Sequence, residues 1–176
     1  MTYEVLASEE LFNGRAFKVR VDQVQAPTGH VMHVEVVVHH GAVVLVPIDD
    51  DGRIVFVKQY RHPAGKILLE LPAGTLDPHE DPESCAIREC REEIGMAPGK
   101  ITRIGGFYLA PGYSTEYLDI YMAQEMNPAP LDQDEDEDLE IERLDIHQIQ
   151  QRIEAGIIED AKTLASLHIF SHAVAS

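Results

Sequence analysis

The stretch GTLDPHEDPESCAIRECREEIGM, residues 74–96, contains the clearest structural signals of this chain. Within it, Asp81 followed by Pro82 is typical of a helix N-cap with proline at the first helical position, and Gly95 is a typical helix terminator. The pattern therefore predicts a helix of about three to four turns between these residues.

One side of the predicted helix is apolar and the neighbouring side is acidic. Apolar residues recur every four positions, as expected for a stripe that faces a core: Ala86, Cys90 and Ile94. Glu89 and Glu93 share a face, Glu92 flanks them, and Arg88 has the right spacing to pair with Glu92. Three crowded carboxylates repel one another unless a cation lies between them, and oxygen ligands suit Mg²⁺, Mn²⁺ or Ca²⁺. From the carboxylates alone, a metal site and a solvated acidic face both remain open.

The spacing of the fixed residues identifies a family resemblance. Seven positions match the Nudix box, and Cys90 and Met96 occupy its aliphatic positions: Gly74, Glu80, Arg88, Glu89, Glu92, Glu93 and Gly95. The chain thus resembles a Nudix hydrolase, a metal-dependent enzyme that cleaves diphosphates linked to another moiety. The resemblance implies an α/β (α+β) fold, an α/β/α sandwich with a mixed β-sheet. It also implies metal binding by Glu89, Glu93 and the Ala73 carbonyl, with Glu92 as a ligand or as a support paired with Arg88.

Composition restricts the partners. The chain has 176 residues, 44% of them apolar, and a formal net charge of −17. This charge argues against non-specific binding of nucleic acid, which requires a basic surface. The opening MTYEVLASEE is polar and acidic, and no run is long and apolar enough to span a membrane, so a cytoplasmic location is expected. Cys85 and Cys90 point in different directions on the predicted helix, which disfavours a disulfide.

Residues 1–40 are predicted to form a small N-terminal antiparallel β subdomain, followed by the main domain at residues 41–176. Residues 17–24 and 31–38 alternate between apolar and polar side chains around the turn at residues 27–29, as a hairpin does. An isolated hairpin cannot bury itself. It packs either on a second subunit or on its own domain, and the family favours a homodimer.

The approach to the box predicts two strands at residues 42–48 and 53–60, and a third at residues 67–72. Arg61 follows the second strand, where it can meet a phosphate. Glu70 lies in the apolar third strand, so its carboxylate needs a partner or a binding role. The segment QYRHPAGKILLELPAG resembles the ADP-ribose pyrophosphatase branch of the Nudix hydrolases. In that branch the residues that match Arg61 and Glu70 contribute to the nucleotide site.

Beyond the box, strands are predicted at residues 101–109, 117–123 and 139–144, and helices at residues 145–155 and 161–170. Pro111 lies sixteen residues after Gly95, a spacing that resembles the ADP-ribose hydrolases. The loop that follows it resembles the same branch. That resemblance assigns Gly112 and Glu116 to substrate binding, with Glu116 on ribose hydroxyls or on metal or water. The alternative for Pro111 and Gly112 is an ordinary turn.

The acidic stretch LDQDEDED, residues 131–138, lies between ordered elements. On composition alone it is a solvated loop. In the resembling enzymes a loop at this place supplies a Glu that activates water and also contacts the metals. Alignment on the following strand assigns this role to Glu137, with Glu135 as the second choice.

Taken together, these patterns predict hydrolysis of ADP-ribose to AMP and ribose 5-phosphate with two or three Mg²⁺ ions, or Mn²⁺. The substrate is a small nucleoside diphosphate, with neither nucleic acid nor membrane as a partner. The box itself recognises only the diphosphate, so other nucleoside diphosphate sugars, such as ADP-glucose or GDP-mannose, are the alternative. A non-catalytic nucleotide sensor is disfavoured because the chain keeps every carboxylate of the box.

Overall fold

The computed structural model describes residues 2–131 and 139–175. Its strands are β1 (Glu4–Asn13), β2 (Lys18–Gln25), β3 (Val31–Val38), β4 (Ala42–Pro47), β5 (Ile54–Arg61), β6 (Lys66–Glu70), β7 (Ala73–Thr75), β8 (Met96–Tyr108), β9 (Tyr117–Pro128) and β10 (Glu140–Leu144). The helices are α1 (Pro82–Glu93), α2 (Ile146–Glu154) and α3 (Ala161–Ala173), with a single 3-10 turn at His62–Ala64. The predicted α/β class with a mixed sheet is confirmed.

The chain divides into two compact units. The first contains residues 1–41 together with 108–117, and the second contains residues 42–107 and 118–176. The loop at residues 108–117 therefore belongs to the first unit, whereas its sequence position had placed it in the main domain. No helix among the described residues is long and apolar enough to cross a membrane.

The first unit is built on a three-stranded antiparallel sheet in the order β1-β2-β3. The predicted hairpin is confirmed, with Lys18 opposite Val38 and Gln25 opposite Val31. Its turn is closed by the Gly29 amide, which donates to the Ala26 carbonyl at 2.9 Å. The edge strand β1 was not predicted, and all ten of its residues are exposed.

Strand β4 is the centre of the second unit. It pairs parallel with β9 and antiparallel with β7, within a four-stranded sheet ordered β7-β4-β9-β8. A second sheet has the order β10-β5-β6. All six residues of β4 are buried because successive side chains enter different cores. Val44 and Val46 pack with residues of α2 and α3, while Val43 and Leu45 pack with residues of α1.

Helix α1 has the predicted ends. The Asp81 side chain accepts hydrogen bonds from the amides of Glu83 and Ser84, both at 3.1 Å. Gly95 follows the helix with a φ of +70°, in the left-handed region that favours glycine. The apolar stripe of α1 is buried against the β4 side chains, as predicted.

Both cysteines on α1 are free thiols in the core. Burial raises the pKa of Cys85 well above its usual range, and it raises the pKa of Cys90 to about 12. A buried thiol that stays protonated is a poor nucleophile. The two cysteines therefore serve packing rather than chemistry.

Candidate active site

Helix α1 presents two buried carboxylates to one place in the second unit. Glu89 is 7% exposed and Glu93 is 2% exposed, and their spacing of four residues places them on one face of the helix. Ordinary packing does not require two carboxylates at positions as deeply buried as these, because burying a charge is costly. This pair is therefore the strongest candidate for a functional centre.

Gly74, in the short strand β7, allows the Glu89 carboxylate to lie against the backbone. A Cβ atom at position 74 would lie only 1.8 Å from Cδ and Oε1 of Glu89. Residue 74 therefore has to lack a side chain for Glu89 to keep this position. The close approach of Glu89 thus explains why the first position of the motif is glycine in this chain.

The neighbouring residue in β7 binds the second carboxylate. The Ala73 amide donates to Oε2 of Glu93 at 3.3 Å, and Ala73 itself pairs with Val44 of β4. Strand β7 thus contacts both buried carboxylates, one through Gly74 and the other through Ala73. The helix and the strand together hold Glu89 and Glu93 against one stretch of backbone.

Arg88 connects the box to the loop that precedes it. Its guanidinium donates from Nε and Nη2 to the two carboxylate oxygens of Glu80, both at 2.9 Å. Nη1 donates to Glu89 at 2.6 Å and to Glu92 at 2.8 Å, which confirms the predicted pairing with Glu92. Nη2 also reaches the Thr75 carbonyl at 3.3 Å. A single guanidinium therefore joins three carboxylates and the end of β7.

The hydrogen bonds from Arg88 lower the pKa of Glu80. The pKa of Glu80 falls to about 2, chiefly because Arg88 hydrogen bonds to its carboxylate, with a further contribution from the Asp77 amide. The pKa of Arg88 is raised in turn, with Glu80 as the largest cause. Through these contacts Glu80 attaches the loop that precedes α1 to the helix.

The donor set fits a hard divalent cation. Glu89, Glu93 and the Ala73 carbonyl offer only oxygen, which Mg²⁺ and Mn²⁺ prefer. Within residues 2–131 and 139–175, no group of three His, Cys, Asp or Glu side chains is close enough to hold a metal. A backbone carbonyl as the third donor agrees with this finding. Glu92 pairs with Arg88 through the same Nη1 that contacts Glu89, so its role as a ligand or as a support stays a prediction.

A second charged cluster forms where β5 ends. Glu70 is 2% exposed, and its carboxylate accepts from Arg61 Nε at 3.1 Å and from Arg61 Nη2 at 2.8 Å. Lys162 of α3 also donates to Glu70. Burial raises the pKa of the Glu70 carboxyl, but Arg61 and Lys162 more than offset this, so the pKa lies below its usual range. Glu70 has the partner that its apolar strand required.

Lys162 and its neighbour Asp160 were not identified from the sequence. Asp160 precedes α3 in the manner of an N-cap, and its side chain accepts from the Thr163 amide at 3.0 Å. A lysine in the first turn of an apolar helix gives no sign of which carboxylate it meets. Only the tertiary structure brings Lys162 to Glu70, which is 92 residues away.

The remaining predicted residues are elsewhere in the chain. Gly112 and Glu116 belong to the loop of the first unit, where the Leu109 amide donates to the Glu116 carbonyl at 3.1 Å. Their binding roles stay predictions. Glu135 and Glu137 lie outside the described residues, and so does most of the acidic stretch that contains them.

The sequence of this chain is similar to those of proteins from a known family. A model of the NUDIX domain matches residues 38–167. An ADP-ribose pyrophosphatase of Bacillus subtilis is 35% identical over 91% of this chain and 88% of its own length. A methanol dehydrogenase activator of Bacillus methanolicus is 37% identical over 93% of this chain and 90% of its own.

An ADP-ribose pyrophosphatase of Mycobacterium tuberculosis is 44% identical over 69% of this chain and 59% of its own length. Among solved structures, one described as an ADP compounds hydrolase matches with a TM-score of 0.86. It covers 98% of this chain and 94% of its own, at 24% identity. At that identity the likeness establishes the fold.

Proposed function

Because this chain belongs to the NUDIX domain family, we propose that it hydrolyses ADP-ribose with a divalent metal ion. Water adds across the P–O–P bridge, which breaks to give AMP and ribose 5-phosphate. The observation that carries the reaction class is the pair of buried carboxylates, Glu89 and Glu93, held against the backbone of β7. The choice of ADP-ribose is supported by the relatives that bear this name.

Glu89, Glu93 and the Ala73 carbonyl would hold the metal, with Mg²⁺ proposed and Mn²⁺ as the substitute, in two or three ions. When bound, these ions neutralise charge on the diphosphate and lower the pKa of the attacking water. Arg88 orients Glu89 and fixes the loop through Glu80. Glu92 is proposed as a further metal ligand or as a support of Arg88, with which it is paired.

Arg61 is proposed to bind an anionic or aromatic part of the nucleotide, because its side chain is 39% exposed and a guanidinium suits both contacts. Glu70 is proposed to act through Arg61, since its own carboxylate is buried beneath the two cations. Gly112 and Glu116 are proposed for the terminal ribose. Glu137 is proposed as the base that activates water, with Glu135 as the alternative; both roles come from the family resemblance.

We further propose a homodimer built on the first unit. Strand β1 is exposed along its whole length, and it carries apolar side chains that a monomer would leave in water: Val5 at 59%, Leu11 at 59% and Phe12 at 52% exposure. Sedimentation at several protein concentrations tests this, and a monomer at all of them would contradict it. The cytoplasmic location and the absence of nucleic acid as a partner stay predictions.

A substrate panel tests the proposed activity. The protein is assayed with Mg²⁺ against ADP-ribose, ADP-glucose, GDP-mannose, NADH and dinucleoside polyphosphates, and the values of kcat/KM are compared. ADP-ribose is expected to be the best substrate. A higher kcat/KM for GDP-mannose or ADP-glucose would favour the alternative within the same family. Binding of ADP-ribose with no turnover of any substrate would indicate a sensor.

A further inference from the structure

The Glu70 carboxylate is shared by two cations that come from different parts of the second unit. Arg61, at the end of β5, occupies one edge of the carboxylate with Nε at 3.1 Å and Nη2 at 2.8 Å. Lys162, in the first turn of α3, reaches Oε2, the same oxygen that accepts from Nη2. The two cations therefore meet at one oxygen atom, and each restricts the place of the other.

Lys162 is held firmly by the start of α3. Its ammonium group also donates to Oδ2 of Asp160 at 2.8 Å, and its side chain is only 11% exposed. The Thr163 hydroxyl donates to the same Asp160 oxygen at 2.7 Å and accepts from the Leu71 amide at 2.9 Å. Helix α3 is thereby fixed to the residue that follows β6. The lysine is a rigid part of the fold rather than a mobile surface charge.

Arg61 forms the outer end of this row of charges. The order Asp160, Lys162, Glu70, Arg61 alternates in sign, which suits a buried set of charges. Within the described part of the chain, hydrogen bonds use Nε and Nη2 of Arg61 and leave Nη1 without one. Glu70 ends β6 just before β7, where the Ala73 amide donates to Glu93, so the Glu70–Arg61 pair lies beside the strand that contacts the box.

We propose that Lys162 is a positioning residue, which sets the direction of the Arg61 guanidinium by holding the carboxylate of Glu70 in place. This inference rests on the proposed role of Arg61 in substrate binding. Lys162 itself contacts neither substrate nor metal. Its effect reaches the substrate only through Glu70 and Arg61.

The physical reason is the cost of a buried carboxylate with one partner. Without the lysine charge, Glu70 keeps only a half-exposed arginine against its desolvation. The carboxylate then rotates towards Arg61 or takes up a proton, and either change disturbs the two parallel hydrogen bonds of the fork. The Arg61 guanidinium is then no longer held in one orientation, and substrate is bound more weakly.

The chain offers a matched pair of lysines for the test. Lys162→Met removes the charge and keeps an unbranched side chain, and Lys162→Arg keeps the charge. Lys66→Met is the control, because Lys66 joins the start of β6 to Glu159 in an exposed ion pair that does not include Glu70. For Lys162→Met we expect KM to rise about tenfold with kcat within about twofold, as for a loss of binding energy. Lys66→Met should change neither, and Lys162→Arg should recover most of the loss in KM.

Asp160→Asn keeps a good helix cap and leaves Lys162 in the chain, so it provides a second variant if Lys162→Met folds poorly. It should raise KM about twofold to threefold, since the lysine is then held less firmly. The Arg61 Nε–H resonance in ¹H–¹⁵N spectra reports the fork directly. It should shift and exchange faster in Lys162→Met and stay unchanged in Lys66→Met.

A double-mutant cycle separates positioning from general stability. In an Arg61→Ala background, Lys162→Met should have no further effect on KM. An additive effect there, or an equal rise in KM for Lys66→Met, would overturn the proposal. An unchanged Arg61 resonance in Lys162→Met would also overturn it. If the unaltered protein hydrolyses none of the panel substrates, the proposed function fails, while the resonance still decides the role of Lys162.

Discussion

Two charged clusters of the second unit are built around shared groups of opposite sign. In the box, one guanidinium, that of Arg88, serves three carboxylates, those of Glu80, Glu89 and Glu92. At the end of β5, one carboxylate, that of Glu70, serves two cations. In both clusters an arginine donates hydrogen bonds from two nitrogens to one carboxylate. The clusters differ in the charge of the shared group, which is a cation in the box and a carboxylate at the end of β5.

This difference separates the two tasks that a diphosphate hydrolase must perform. A cluster in which several carboxylates share one cation is suited to receiving further positive charge, as metal ions provide. A cluster in which two cations share one carboxylate can direct one of them towards an anion. Since the chain carries a formal net charge of −17, such a local balance matters for the approach of an anionic substrate.

Glu93→Gln tests whether the carboxylates of the box hold the metal. The amide oxygen of Gln still accepts from the Ala73 amide, so the fold should persist, while the charge that would hold the metal is lost. We expect kcat with Mg²⁺ to fall about a thousandfold or more, measured by AMP release, with an unchanged melting temperature. Glu83→Gln, an exposed carboxylate on the same helix, is the control. Near-normal turnover in Glu93→Gln would remove the metal assignment.

Glu70→Gln tests the cluster at the end of β5, in which Arg61 and Lys162 share the Glu70 carboxylate. The change leaves Arg61 and Lys162 close together without the carboxylate that separates them. We expect the free energy of unfolding to fall by about 3 kcal/mol, as for other broken buried pairs, measured by urea denaturation. The control is Glu159→Gln, whose ion pair with Lys66 is exposed, with an expected loss below about 1 kcal/mol. Equal losses in the two variants would mean that burial does not distinguish these pairs.

Arg88→Lys tests whether the box depends on the planar fork or only on its charge. Lysine cannot bind both oxygens of Glu80 while also reaching Glu89 and Glu92. We expect a loss of about 2 kcal/mol in the free energy of unfolding. Arg91→Lys, which gives up one bond to the Ala129 carbonyl, should lose about half as much or less. A stable Arg88→Lys variant would show that a point charge is enough.

Acid should weaken the Glu80–Arg88 contact within a defined range. The folded pKa of Glu80 is about 2, against a usual value of 4.5. Because the folded value is the lower one, this carboxylate adds stability above about pH 4.5, and that stability is lost as the pH falls towards 2. Glu80→Gln should therefore be less stable than the unaltered protein at pH 7, by about 1–2 kcal/mol. Urea denaturation at several pH values should show the gap closing in acid; a constant gap would contradict the assignment.

The box could be predicted in detail because its signals are local. The cap at Asp81, the left-handed Gly95 and the pairing of Arg88 with Glu92 each depend on residues within one helix. The flush apolar strand β4 could be predicted for the same reason, as could the hairpin of β2 and β3. In these elements the periodicity and the turn residues agree with each other.

What could not be predicted depends on distant partners or on ambiguous composition. Lys162 meets Glu70 across 92 residues, and no local pattern indicates such a contact. Strand β1, EVLASEELFN, mixes acidic and apolar residues without strict alternation, so its pairing with β2 was missed. The register between β1 and β2 shifts at two places. Each shift breaks the alternation of inward and outward side chains by which a strand is recognised in a sequence. Glu70 was correctly expected to need a partner, but its partners' identities required the tertiary structure.

Gly74 changes how a mutational scan of this protein should be interpreted. Alanine at this position would meet the flexible end of Glu89 rather than a rigid wall, so the chain would fold and the carboxylate would be displaced. A scan would then rank Gly74 beside Glu89 and Glu93 as essential for turnover, although glycine contributes no reacting group. At this position the protein depends on an empty volume the size of one methyl group, and chemical rescue cannot restore it. Shortening residue 89 to aspartate would not make room either, because Cγ of Glu89 already lies only 2.5 Å from the added carbon.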